Sequence, residues 1–390
     1  MTAPTADLLL HRRIIVCVGC GGVGKTTTSA ALGVAAARLG RRTLVLTIDP
    51  AKRLANALGL DGLASEPTRL PPAIHQQAGI EAPGELSAMM LDMKRTFDGL
   101  VERFASTEEE RERILQNPIY EHVSDALAGS AEYSAMEKVF ELSLSDDYDL
   151  IILDTPPSQH ALDFLEAPAR LMAFLDSSVV QLLLHPAFAA GRTGFRWFQR
   201  GAARVLSTLE KISGVGFLED ISEFLLAFEA MSEGFRERAH EVQALLFGPH
   251  TGFLLAAGPG REAAAQSAAL LARLDATGAR LEGVVLNRVL LWPGPAPDLE
   301  TLAGPGRKAL EEALSASPRA PEAAAAAIDL AHRFAAGVAR DTRSTADLAD
   351  RASRAGAFVR RIPEFDRDVA DLDGLASMAD LLVDTEARER

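Results

Sequence analysis

Ile14 to Leu32 constrains the fold of this chain more than any other stretch. A β-branched run, Ile14 to Val18, leads without a gap into Gly19-Cys20-Gly21-Gly22-Val23-Gly24-Lys25-Thr26, and then into the helical start Thr27 to Leu32. This strand, glycine-rich loop and helix carry the spacing GxxxxGK[ST] of a P-loop. Glycines let successive backbone N–H groups converge on one point, and the helix behind them adds its positive N-terminal end, so the loop is built to wrap a polyphosphate. On this reading Gly21, Gly22, Val23 and Gly24 supply the cradle and Lys25 reaches the β- and γ-phosphates. Thr26 ligates Mg²⁺, and Thr27 hydrogen-bonds the α-phosphate. A tight strand-to-helix connection would also use glycines, but it needs neither the lysine nor the hydroxyl that follows it.

Composition narrows the classes of partner. The chain has 390 residues, with 40 Lys and Arg against 54 Asp and Glu, a net charge of -14. An acidic surface of that size speaks against sequence-independent binding to nucleic acid or anionic lipid, which require cationic surfaces. The two cysteines, Cys17 and Cys20, sit in the strand and in the phosphate loop. One such pair cannot complete a four-ligand zinc or cluster site, and the usage fits a reducing cytoplasm. Met1 to Leu10 has neither a basic n-region nor a cleavage pattern, so no signal peptide is expected there. The apolar run Val179 to Leu184 is too short to span a bilayer.

Along the chain the pattern is strand alternating with helix, which predicts an α/β fold with a mostly parallel central sheet flanked by helices. Expected strands are Thr43 to Ile48, Leu86 to Asp92, Tyr148 to Leu153, Gly252 to Ala257, Leu281 to Leu286 and Ala357 to Arg361, with a closing helix over Leu372 to Val383. Asp49 follows the second strand, at the end where such sheets place ligands, although it is also placed to cap the helix through Leu54 and Leu58. The apolar strand ending in Asp154 reads as a Walker B element whose carboxylate holds the Mg²⁺ shell, with Thr155 to His160 placed to sense the γ-phosphate. Asn287 closes another strand, where its amide can read adenine N6 and N7 or simply serve a turn. The intervening segments 94–145 and 169–249 read as a helical subdomain, and 10–93, 146–168 and 250–390 as the nucleotide-binding domain. Phe217, Ile221, Phe224, Phe228, Met231, Phe235, Val242 and Leu245 form an apolar stripe in the second helical segment, suited to a core or to a groove for an apolar helix.

Together these motifs resemble the ArsA-type ATPases, the deviant P-loop family of arsenite-pump ATPases and of ATPases that deliver tail-anchored membrane proteins. The likeness is carried by Gly19 to Thr28, Thr47-Ile48-Asp49-Pro50-Ala51, Asp154 to Leu162 and Val284 to Arg288. Leu127 to Lys138 and Pro363 to Val383 look like the bacterial single-domain members. The resemblance implies ATP with Mg²⁺, a cytoplasmic protein, and facing ATP sites in a homodimer or in a heterodimer with a paralogous ATPase. It also implies an apolar client helix or a membrane-protein partner, through which the protein would lie at a membrane. It implies that Asp49 positions or activates the attacking water, that Asp154 is the metal-side carboxylate and that Asn287 contacts adenine. Three departures stand out. Cys20 occupies the place of the family's signature lysine, so that either an arginine such as Arg53 or a partner subunit that keeps the lysine would supply the missing charge, and no cysteines match the zinc or metalloid pairs of its relatives. Pro259-Gly260-Arg261-Glu262 replaces the usual Pro-Glu near the adenine.

Overall fold

A computed structural model describes residues 3–49, 52–105, 107–117, 120, 130–155, 173, 233–316 and 319–384. In the first half of the chain the helices are α1 Pro4–His11, α2 Lys25–Arg38, α3 Arg53–Ala57, α4 Pro72–Gln77, α5 Met93–Phe104, α6 Glu108–Leu115 and α7 Ser130–Leu144, and the strands are β1 Ile14–Gly19, β2 Arg42–Thr47, β3 Thr68–Arg69, β4 Glu85–Met90 and β5 Leu150–Asp154. A helical run α8 over 233–246 then leads to β6 Thr251–Ala257, α9 Arg261–Thr277, β7 Leu281–Val289, α10 Leu299–Ala303, α11 Gly306–Ala313, α12 Ala320–Arg354, β8 Phe358–Pro363 and α13 Leu372–Val383.

The eight strands form one sheet in the order β3-β4-β2-β5-β1-β6-β7-β8. Every neighbouring pair is parallel except β3 with β4. Parallel strands need covered faces, which is why β1 is buried at every position instead of alternating with polar residues. Its side chains still alternate between faces. Ile14, Val16 and Val18 join one hydrophobic cluster with α5, α7, α8 and α9, and Ile15 and Cys17 join a second with α2 and α13. From β1 the chain winds through β2 towards one edge of the sheet, and after β5 it passes to the other side of β1 through β6, β7 and β8. Sheets of this kind bind ligands at the carboxyl ends of the strands where that order reverses. The P-loop, Asp49, Asp154 and Asn287 all lie at such ends.

Most of the expected strands are present, with ends shifted by a residue or two, and the closing helix Leu372–Val383 is as expected. Three features differ in an informative way. The helix after β2 takes Lys52 as its N-cap residue, so Asp49 is not its cap. The strand expected to stop at Leu286 continues to Val289 through a shift in its register with β8, which places Asn287 and Arg288 inside the strand and not in a turn. The short antiparallel β3 was not expected. It has two residues, both exposed, and so carries no apolar signal.

The stripe divides in two. Phe235 and Val242 are fully buried, and Phe235 packs on Phe104 with ring centroids 5.3 Å apart, so this end belongs to the core. Phe217, Ile221, Phe224, Phe228 and Met231 lie outside the described residues, as does the segment 156–160 following Thr155. Among the described residues, no helix is long and apolar enough to cross a membrane.

Candidate nucleotide and metal site

The loop between β1 and α2 is shaped by its glycines and tied to its neighbours. Gly24 precedes α2 with φ 87, a left-handed conformation that favours glycine, and a Cβ there would collide with the Asn287 amide. Asn287 donates from Nδ2 to the Val23 carbonyl at 3.0 Å. It therefore braces the loop from the β7 side. Gly21 and Gly22 are exposed at the loop's tip. Lys25 is 5% exposed, and its Nζ donates to the Cys20 carbonyl at 2.8 Å, holding the ammonium over the loop. Burial pushes its pKa below the ordinary lysine value, and Asp154 acts in the other direction. Thr27 borders both the cleft beside the loop and the smaller pocket next to Asn287.

Asp154, at the end of β5, is fully buried. Its Oδ2 accepts from the Thr26 hydroxyl at 2.8 Å and from the Thr47 hydroxyl at 2.9 Å, which joins the ends of α2, β2 and β5 on one oxygen. The other oxygen, Oδ1, is buried without a hydrogen-bond partner among the described residues. Buried acceptors are rarely left so, and an orphan beside a hydroxyl ligand calls for a cation. The available donors are hard oxygens, and one carboxylate and one hydroxyl with substrate phosphates and water are what Mg²⁺ takes at nucleotide sites. The residues therefore fit that ion. Thr47 also accepts from the Asp49 backbone N–H at 3.2 Å, and the Thr155 hydroxyl donates to the Cys17 carbonyl at 2.8 Å. Asp49 pairs with Arg53, Oδ2 to Nη1, at 3.3 Å. Lys25, Thr26, Asp49, Arg53 and Arg288 share a cleft of about 360 Å³, within the range of small-ligand sites.

The expected phosphate and metal residues are thus brought together with Thr47 and Arg53, and Arg288 is added to them. Thr47 was legible as the first residue of the Thr47-to-Ala51 segment that carries the family likeness. Arg288 was not, because it enters the cleft through φ 58, a left-handed conformation inside a strand. Cys17 is fully buried, and burial pushes its thiol up to about 12, the opposite of what a reactive thiolate requires.

The family model for anion-transporting ATPases matches residues 12–291. The chain belongs to this family. Within it, ATPase GET3 of Malassezia globosa is similar to this chain at 31% identity over 176 residues, which is 43% of the chain and 47% of that protein. An uncharacterized protein of Streptomyces coelicolor is 29% identical over 304 residues, covering 77% of the chain and 68% of that protein. A putative arsenical pump-driving ATPase of Halobacterium salinarum is 32% identical over 170 residues, 42% of the chain and 25% of that protein. The chain therefore spans about half or less of the length of these two relatives named as ATPases.

One property of this anion-transporting ATPase family member follows from Asp154 alone. Burial raises its carboxyl from the ordinary 3.8 to about 6, against the Thr26 and Thr47 hydrogen bonds and the Lys25 charge. A carboxyl raised in the folded state binds its proton more tightly there than in the unfolded chain. Its contribution to stability therefore falls as pH rises from about 4 to about 6, and above that the ionised group costs on the order of 1–3 kcal/mol. Mg²⁺ bound by the carboxylate would offset that cost and compete with the proton below it. Mg²⁺ should therefore raise Tm more at pH 7.5 than at pH 5. Asp154→Asn should be more stable than wild type at pH 7.5 in EDTA and should not respond to Mg²⁺. Melting curves check this, and equal Mg²⁺ shifts at the two pH values would contradict it.

Proposed function

We propose that the protein binds MgATP at this cleft and hydrolyses it, and that hydrolysis opens and closes a dimer whose helical part, 94–145 and 169–249, handles an apolar client or partner protein. The observation that carries this reading is the Asp154 carboxylate, with Thr26 and Thr47 on one oxygen and the other oxygen buried and unpartnered beside the P-loop. Mg²⁺ bound there would neutralise phosphate charge. The chain's own groups do the rest. Lys25 and the loop N–H groups hold the β- and γ-phosphates, and Asp49 orients the attacking water. With only two cysteines, one of them buried and protonated, a thiol site for arsenite has no support. The chain's place would be the cytoplasm, at a membrane only through its partner.

A second reading rests on Cys20. A half-buried thiol at the second loop position, which cannot supply a positive charge, suits a weakly hydrolysing subunit that pairs with a paralogue supplying the missing cation. The two readings separate on the purified protein alone, in steady-state phosphate release with Mg²⁺ and with EDTA, followed by size-exclusion chromatography with MgATP. Mg²⁺-dependent turnover and a nucleotide-dependent dimer support the first. Tight MgATP binding without turnover or dimer supports the second, and no MgATP binding sinks both.

A further inference from the structure

Among the described residues, three cations border the cleft: Lys25, Arg53 and Arg288. Lys25 is seated in the loop by the Cys20 carbonyl. Arg288 lies on the β7 side and pairs with Asp368 at 3.3 Å. Arg53 stands on the opposite wall, where its Nη1 lies 3.3 Å from Asp49 Oδ2, with the arginine side chain 61% exposed and the aspartate 12%. Lys52, just before it, takes φ 40, a left-handed conformation that costs energy in any residue with a Cβ and that clusters at functional sites. The Arg53 charge is felt at Lys25, where it opposes the pull of Asp154 and Asp49 on the ammonium. Arg53 is therefore near both the group that holds the γ-phosphate and the carboxylate that orients the water.

Resting on the MgATP reading above, we infer that Arg53 acts in cis as a γ-phosphate arginine, exchanging Asp49 for the γ-phosphate when ATP binds. An ion pair at 3.3 Å with an exposed arginine arm is weak. A guanidinium fork on phosphate oxygens makes two charge-assisted hydrogen bonds, so the exchange runs towards the triphosphate. It has two effects on one step. Asp49 Oδ2 is released to accept a hydrogen bond from water, and a positive charge reaches the oxygens around the γ-phosphorus. The water oxygen then bonds to that phosphorus and the bond to the β–γ bridging oxygen breaks. The electron pair leaves on ADP, and the water proton passes through Asp49 to the released phosphate. ADP has no γ-phosphate and leaves Arg53 on Asp49, so the same residue distinguishes the two nucleotides.

The test compares wild type, Arg53→Ala and Arg53→Lys in steady-state hydrolysis, in calorimetric binding of MgATP and MgADP, and in melting. Arg53→Ala should lower kcat by about 10²–10³-fold, the usual loss for one transition-state donor. It should leave MgADP affinity and Tm unchanged. Arg53→Lys should recover only part of the rate, because a point charge replaces the fork, and added guanidinium should restore turnover to Arg53→Ala. A purely structural role would move Tm and MgADP affinity together and would not respond to guanidinium, which overturns the inference. An Arg53→Ala enzyme that binds MgATP and turns over at the wild-type rate overturns Arg53 and leaves the MgATP reading standing. Wild-type protein that neither binds nor hydrolyses MgATP overturns both.

Discussion

Lys25→Ala should cost the protein its tight binding of ATP and of ADP alike. Lys25 is 5% exposed and sits at the first turn of α2 with its ammonium 2.8 Å from the Cys20 carbonyl, so it is already aimed where the β-phosphate of either nucleotide would lie. A charge-assisted hydrogen bond of this kind is worth roughly 1.5–3 kcal/mol, or about ten- to a hundredfold in Kd. The fold should tolerate the change. Burial already holds the ammonium below its ordinary pKa, so removing it also removes a desolvation cost. Calorimetry with MgATP and MgADP, alongside a melting curve, reads both halves. Unchanged affinity would remove the P-loop reading, whereas lost affinity with a collapsed Tm would show only that the variant is misfolded.

How much of this was legible in the sequence depended on how local the signal was. The P-loop was readable because its phosphate-binding groups are backbone N–H groups of one short loop plus two adjacent side chains, all fixed by spacing. Asp154 was readable because a fully apolar strand makes the first charged residue after it conspicuous. Asn287 was found by position, but its bond to the Val23 carbonyl was not. That bond joins residues 264 positions apart and exists only because β7 lies two strands from β1. The Thr47 bridge was hidden for the same reason, since its hydroxyl meets Asp154 only when β2 and β5 are neighbours. The extension of β7 was missed because a polar Asn-Arg pair interrupts its apolar run, and the register shift that carries the strand past it has no signature in composition. Arg53 is an intermediate case. The sequence offers it as an arginine able to replace the charge missing at Cys20, but only the geometry places it against Asp49.

Asp49→Asn should leave MgATP bound and nearly stop its turnover. Asp49 does not serve as the cap of α3, because that place belongs to Lys52, and its carboxylate pairs with the Arg53 side chain. Its backbone N–H meets the same Thr47 hydroxyl that holds Asp154, which fixes the start of the Asp49 side chain relative to the Asp154 carboxylate. Asparagine keeps that backbone contact and nearly the same shape, and it keeps one carbonyl oxygen to accept from water. It loses the negative charge that draws the water proton away as the new bond to phosphorus forms. Losing a positioned acid–base group typically costs about 10²–10⁴-fold in rate. The loss should fall on kcat, with MgATP affinity preserved or slightly improved because a negative charge near the γ-phosphate has gone. Thermal stability should change little, since the lost Arg53 pair has one exposed arm and such pairs contribute about 0–1 kcal/mol. Single-turnover hydrolysis with binding measured on the same sample separates these outcomes. Turnover near the wild-type rate would move the water-orienting role to another residue. Lost MgATP binding with an intact fold would make Asp49 part of the phosphate cradle rather than the group that orients the water.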